Sequence, residues 1–211
     1  MSKKRPEFDE YDWNTYTEEY RAQAKLVANS DHQGSEALVK NSYTTKNGII
    51  YKDNLHGNWK NIYSSIHKLK PSSVFECGCG GMHHLHNIKT LMPNINVFGC
   101  DLLKSQLDWG KNFWRISDNI VKNVKVLDFS NKDVTKNLFK YDFVFSQAVI
   151  MHISHKKALQ FVKNMTQIAK KNICIVEGDQ HDYIELMELV GELDNFSVER
   201  LAYNAILFNR K

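Results

Sequence analysis

"SSVFECGCGGMHHLHN", residues 72–87, opens on an apolar, strand-like run, reaches an acid at Glu76 and then turns through Gly78, Gly80 and Gly81. An acid at a strand end followed by residues without Cβ atoms predicts a tight backbone turn at the carboxyl edge of a sheet, where open α/β folds bind their ligands. Asp101 ends the next apolar run, "INVFGCD", where a carboxylate can accept the hydroxyls of a ribose. The predicted ligand therefore carries a nucleoside.

Two other chemistries compete for the same residues. A dinucleotide fingerprint aligned on Gly78 and Gly80 needs a third glycine where His83 stands, and histidine suits that close packing poorly. Cys77, Cys79, His83, His84 and His86 can be drawn as a zinc cluster, but the two cysteines flank a glycine turn and lack the knuckle spacing that zinc prefers. No metal site is expected. Of the three histidines, one is expected to pack and the others to face solvent from the first turns of a helix.

From residue 71 onward the chain alternates. The β-rich runs "SVFEC", "INVFGCD", "VKVLDF", "YDFVFSQAV" and "NICIVEG" are separated by amphipathic stretches such as 104–117 and 155–170. Such a rhythm predicts a mostly parallel sheet with helices on both faces. "FSVERLAYN" and "AILFNRK" then follow each other with no room for a crossover helix, so that last pair must be antiparallel. Before residue 71 the sequence reads as a helix over about 10–29, a loop with hairpin potential, "SYTTKNGIIYKDNLHGN", and a helix "WKNIYSSIHKLK" that stops at Pro71.

"VFECGCGGMHHL", "VFGCDLL", "KVLDFS", "YDFVFSQAVIMHI" and "ICIVEG", in that order and spacing, resemble the successive motifs of class I S-adenosylmethionine-dependent methyltransferases of the small-molecule type. The resemblance covers residues 58–211 and implies a Rossmann-like α/β fold: a seven-stranded, mostly parallel sheet with an antiparallel terminal strand. Residues 1–57 are expected to form an N-terminal helical cap on a single domain spanning 1–211. The family's pattern departs at Met82, commonly a glycine, which is expected to narrow the space beside the methionine portion of the cofactor.

Carried over position by position, the resemblance implies that Glu76 faces the cofactor's amino group. It implies that the loop of Gly78, Cys79 and Gly80 lines the methionine and ribose portions. Asp101 corresponds to the ribose-binding acid, with Leu102 on the adenine; Asp128 corresponds to the acid for the adenine amine, with Phe129 beside it; Ser146 and Gln147 fall next to the sulfonium. A tyrosine at the position of Tyr20 closes over cofactor and substrate in such enzymes. The chemistry is consistent, because an ammonium, a diol and an amine are all donors and need acids and carbonyls to receive them.

Methyl transfer depends chiefly on alignment, worth roughly 7 to 11 kcal/mol when two reactants are held in register. A hydroxyl acceptor also benefits from a base, and the candidates at strand ends are His152, His181 and Glu177. The segment lacks the "Asn-Pro-Pro-Tyr" pattern that resembling enzymes use to grip a planar amine. The expected acceptor is a small molecule methylated at oxygen or nitrogen, a sugar or another metabolite. RNA methylation, a nucleotide-dependent oxidoreductase and a non-catalytic cofactor-binding module are the alternatives.

Composition sets outer bounds. The chain has 211 residues, 42% hydrophobic and 25% charged, which is an ordinary globular balance. Its charge of +4 is spread in pairs such as Lys156-Lys157 rather than in a stripe, so a nucleic-acid partner is not expected. The N-terminus has no apolar core after its basic residues, and the longest apolar run, "FVFSQAVIMHI", is far too short to span a bilayer. A cytoplasmic protein with no membrane partner and reduced thiols at Cys77, Cys79, Cys100 and Cys174 is the expectation; the oligomeric state is left open.

Overall fold

The computed structural model of the chain describes residues 57–211, together with Trp13, Thr15, Glu18 and Arg21 and the backbone of Tyr43, Thr44, Ile50 and Tyr51. Those four N-terminal residues have helical backbone. The rest of the helix expected over 10–29, Tyr20 included, lies outside the described residues. Where a hairpin was expected, β1 (Tyr43–Thr44) and β2 (Ile50–Tyr51) pair antiparallel, with Tyr43 opposite Tyr51.

From α1 (Gly57–Leu69) the elements follow as β3 (Ser73–Cys77), α2 (His83–Leu91), β4 (Asn96–Asp101), α3 (Lys104–Phe113), α4 (Asp118–Val121) and β5 (Val124–Val126). The second half comprises β6 (Tyr141–Gln147), α5 (His155–Ile168), β7 (Ala169–Val176), α6 (Tyr183–Leu189), β8 (Phe196–Ala202) and β9 (Ala205–Arg210). β3 to β9 form one sheet in the order β5-β4-β3-β6-β7-β9-β8. β9 alone runs antiparallel to both of its neighbours, β7 and β8, and the other pairings are parallel. This is the sheet expected from the alternation.

The strands sort the core by parity. Phe75, Cys77, Val144, Ile173 and Ile175 pack with Phe161, Val162 and Met165 of α5 and with Leu186 of α6 on one face. Val74, Phe143, Phe145, Cys174 and Val176 pack with Ile62 and Ile66 of α1 and with Leu85 and Ile88 of α2 on the other. Successive side chains of a strand point to opposite faces, so a run apolar at every position must be covered on both. The chain leaves β3 towards β4 and β5, then crosses back to β6 and β7. The order therefore reverses between β3 and β6, and the carboxyl ends of these two strands open the crevice that doubly wound sheets use for ligands.

Several elements stop earlier than their sequence suggests. β6 ends at Gln147, before the expected "AV", because Ala148 enters the left-handed region at φ 55°. α3 stops at Phe113 rather than 117, and Arg115 at φ 53° breaks the path to α4. β5 covers only Val124–Val126 of "VKVLDF", after which Leu127 donates to the carbonyl of Asp101 and the chain turns into the crevice. Among the described residues no helix is long and apolar enough to cross a membrane.

Candidate functional site

The crevice at the ends of β3, β4 and β6 is a cleft whose walls include Glu76, Gly78, Cys79, Gly80, Asp101, Leu102, Asp128, Phe129 and Gln147. These nine residues, separated by up to 71 positions in the chain (147 − 76), were singled out from sequence. The fold brings them together. Trp13, His83, His84, Gln106, Ala148 and Val149 are among the other residues of the lining.

The loop after β3 owes its shape to its glycines. Gly78 sits at φ 77° and Gly80 at φ 49°, and a Cβ on Gly78 would lie 2.5 Å from Val149 Cγ2. The N–H groups of Gly78 and Cys79 both donate to the carbonyl of Cys100, at 2.9 and 2.8 Å, which ties the loop to β4. Asp101 supplies a second tie: Oδ2 accepts from Gly80 N at 2.8 Å and Oδ1 from Leu103 N at 2.9 Å. One carboxylate thus braces both the glycine turn and the start of α3, and keeps its remaining lone pairs for the cleft. On the far side, Asp128 Oδ1 accepts from the backbone N–H and hydroxyl of Ser130, at 2.9 and 2.6 Å. Leu102 presents an apolar side chain that is 45% exposed at the cleft margin.

Glu76 is only 2% exposed, yet its Oε2 has no hydrogen-bond partner among the described residues. Burial pushes its carboxyl well above the usual carboxylate range, and the neighbouring charge of Asp101 adds to the rise. An orphaned buried acceptor beside a glycine turn is what a cationic donor from outside the chain would satisfy.

Met82 corrects an expectation. It occupies the left-handed region at φ 64°, which explains why glycine suits the position, but its side chain is fully buried with Ile62, Ile66 and Leu85 and is not part of the cleft lining. It therefore does not narrow the cleft. The histidines correct another, because none of the three is exposed. Residues 84, 87, 88 and 91 form the buried stripe of α2, and this helical spacing was the signal that could have placed His84 inward.

His84 belongs to a chain of hydrogen bonds that ends in the cleft. Asn87 Nδ2 donates to Tyr63 Oη at 3.0 Å, and the Tyr63 oxygen lies 2.7 Å from His84 Nδ1. His84 Nε2 lies 3.2 Å from Gln147 Oε1. Burial pulls the imidazole down to about 4, so it is neutral near pH 7. A carbonyl oxygen can only accept, so Nε2 carries the proton, Nδ1 accepts from Tyr63 and the whole chain has one direction. Its effect is to hold Gln147 with its oxygen turned to His84 and its amide nitrogen available to the cleft.

The remaining sequence candidates are not cleft walls. Ser146 is fully buried and its hydroxyl donates to Glu177 Oε1 at 2.7 Å. Glu177 Oε2 accepts from Val149 N at 2.8 Å and Met151 N at 3.3 Å, so this carboxylate braces the turn after β6. Burial pushes it up to about 7 against the opposing effect of these hydrogen bonds. His181 Nε2 donates to the carbonyl of Ile153 at 2.9 Å, and burial lowers its imidazole below the ordinary value. His152 meets the edge of Trp13, with ring centroids 5.7 Å apart. Trp13 is itself a cleft wall, whereas His152 is not among the lining residues.

Residues 40–184 match the profile of the family described as "Tellurite resistance protein TehB". An uncharacterized protein of Rickettsia prowazekii (strain Madrid E) is 26% identical over 147 residues, which cover 66% of this chain and 58% of that protein. The chain thus spans less than two thirds of the curated relative it matches. The methyltransferase domain of a bacterial Hen1 superposes with a TM-score of 0.56 at 15% identity, covering 72% of this chain and 96% of the domain. Human N-acetylserotonin methyltransferase, solved in complex with S-adenosylmethionine, superposes with a TM-score of 0.55 at 13% identity, covering 73% of this chain and 52% of its own. The likeness to both is one of fold, and the fold is that of Rossmann-like methyltransferases.

Proposed function

This chain belongs to the family of the tellurite resistance protein TehB, and from that premise we propose that it is an S-adenosylmethionine-dependent methyltransferase acting on a small molecule at oxygen or nitrogen. The observation that carries the reading is the cleft at the reversal of strand order, where Glu76 Oε2 is buried beside a glycine turn with no partner among the described residues. In this reading Glu76 receives the cofactor's ammonium, Asp101 its ribose, and Asp128 the amine of an adenine lying on Leu102. The human enzyme's bound S-adenosylmethionine supports this cofactor by likeness of fold.

The cofactor supplies a methyl group on a positively charged sulfur. The residues of this chain would hold that methyl in line with an acceptor lone pair. The electron pair of the broken carbon–sulfur bond would stay on sulfur, and the acceptor would release its proton to solvent or to a neighbouring base. Gln147, oriented through His84, offers N–H groups on the acceptor side, and Trp13 excludes water from the cleft.

Isothermal titration of S-adenosylhomocysteine into the protein tests the reading. Micromolar binding that drops at least about tenfold in Asp101→Ala supports it; equal affinity in both removes the ribose assignment. Transfer of labelled methyl from S-adenosylmethionine to fractions of a small-molecule extract, with tellurite included as an acceptor, then identifies the substrate class. Transfer confined to RNA would overturn the small-molecule reading, and binding without any transfer would leave a cofactor-binding module.

A further inference from the structure

Gln106 lies in the first turn of α3, and nothing in the motif pattern assigns it a role. It is 7% exposed, it lines the cleft, and its Oε1 has no hydrogen-bond partner among the described residues. It is thus a second orphaned acceptor in the same cleft as Glu76. Leaving a buried carbonyl oxygen unpaired costs roughly 1 to 3 kcal/mol, so a hydrophobic residue here would serve the fold better unless a ligand supplies the donor.

Its position indicates which donor. The amide is packed over the glycine turn, with Nε2 3.6 Å from where a Cβ on Gly80 would stand. The N–H of that same Gly80 donates to Asp101 Oδ2. Gln106 N donates in turn to the carbonyl of Leu103, whose own N–H is held by Asp101 Oδ1. Gln106 and the Asp101 carboxylate therefore flank one glycine and share one braced turn, while Glu76 belongs to the neighbouring strand. Asp101 already spends one acceptor site of each oxygen on backbone N–H groups, and a ribose diol offers two donors.

We propose that Gln106 is a cofactor-binding residue whose side-chain oxygen accepts a hydrogen bond from a ribose hydroxyl of S-adenosylmethionine, sharing the diol with Asp101; this rests on the cofactor reading above. The amide then selects ligands with a free ribose hydroxyl at that position and adds no charge to a cleft that already holds Glu76 and Asp101.

The test pairs variants with ligand analogues. Affinities of wild type, Gln106→Met and Gln106→Glu are measured by titration calorimetry for S-adenosylhomocysteine, its 2′-deoxy and 3′-deoxy analogues, and its desamino analogue. Gln106→Met is expected to weaken S-adenosylhomocysteine about tenfold, the worth of one buried hydrogen bond, and to leave one of the deoxy analogues within about twofold of wild type. Gln106→Glu retains an oxygen at the same place and is expected to stay within about threefold for S-adenosylhomocysteine, which separates loss of the acceptor from disturbance of the turn. Equal weakening of S-adenosylhomocysteine and both deoxy analogues, or no weakening at all, overturns the inference. A loss that vanishes only with the desamino analogue places the amide on the ammonium and overturns it too. A wild-type protein that binds no S-adenosylhomocysteine overturns the cofactor reading itself, a result distinct from any of these.

Discussion

Gly78 illustrates how one atom can govern the site. At φ 77° an L side chain is strained, and the Cβ would press on Val149 at 2.5 Å. Gly78→Ala is expected to cost about 2 kcal/mol of stability from strain and overpacking together, read as a lower urea midpoint, and to abolish S-adenosylhomocysteine binding. At Glu76 the expected signature is a proton. Burial raises this carboxyl in the free protein, a bound ammonium favours the ionised form, and binding therefore expels a proton wherever the free acid is protonated. Affinity for S-adenosylhomocysteine should rise with pH through the titration of Glu76, and Glu76→Gln should flatten that profile along with weakening binding. The tautomer of His84 is open to direct observation: nitrogen NMR should show a neutral ring with the proton on Nε2 from about pH 5.5 to 8, and a proton on Nδ1 instead would reverse the direction of the Asn87–Tyr63–His84–Gln147 chain.

Between elements, the end of β7 supports the turn that follows β6. Glu177 accepts from Ser146 and from the backbone of Val149 and Met151, so a residue outside the cleft shapes two residues of its wall, Ala148 and Val149. Burial pushes its carboxyl from the ordinary 4.5 up to about 7. The native state then holds more protons than the unfolded chain between these values, and stability falls as pH rises from about 4.5 to about 7 and levels off beyond. Glu177→Gln keeps one oxygen for the two backbone N–H groups and lets its amide donate to Ser146 Oγ. The variant is expected to lose this slope and to be more stable than wild type at pH 8 by about 1 to 3 kcal/mol. Urea midpoints at several pH values measure both; an unchanged slope would show that another group controls it. Local partners of this kind account for the strand-end candidates that do not line the cleft. Ser146, Glu177 and His181 fall where a reacting group could stand, but each has backbone or side-chain partners within the turn, and those partners are invisible until the strands are paired.

At the scale of the molecule, two of the described N-terminal residues, Trp13 and Arg21, contact the elements that carry the site. Trp13 lines the cleft against His152 at one side, and Arg21 Nη2 donates to Ser105 O at 2.7 Å at the start of α3 on the other, with its guanidinium 5.8 Å from the ring centroid of Trp109. Trp13→Ala is expected to speed release of S-adenosylhomocysteine about tenfold while association changes little, because an indole that covers a bound ligand acts mainly on escape. Stopped-flow dissociation rates check this, and an unchanged rate would show that Trp13 only packs on the core. Tyr20, to which the covering role was carried over from the resembling family, lies outside the described residues.

The sheet, its antiparallel last strand and the glycine turn were legible in the chain itself, because local rules produce them: side-chain period, the room needed for a crossover, and the backbone freedom of glycine. The strand-end acids Glu76, Asp101 and Asp128 were legible for the same reason, since a parallel sheet carries the ends of its strands to one edge. Pairing decided the rest. Met82 turned inward, His84 became a link to Gln147, Glu177 closed on backbone and Gln106 was left with an unanswered oxygen. Direction and partner are properties of what packs opposite, and residues 63, 84 and 147, or 80 and 106, meet only when helices settle on the sheet.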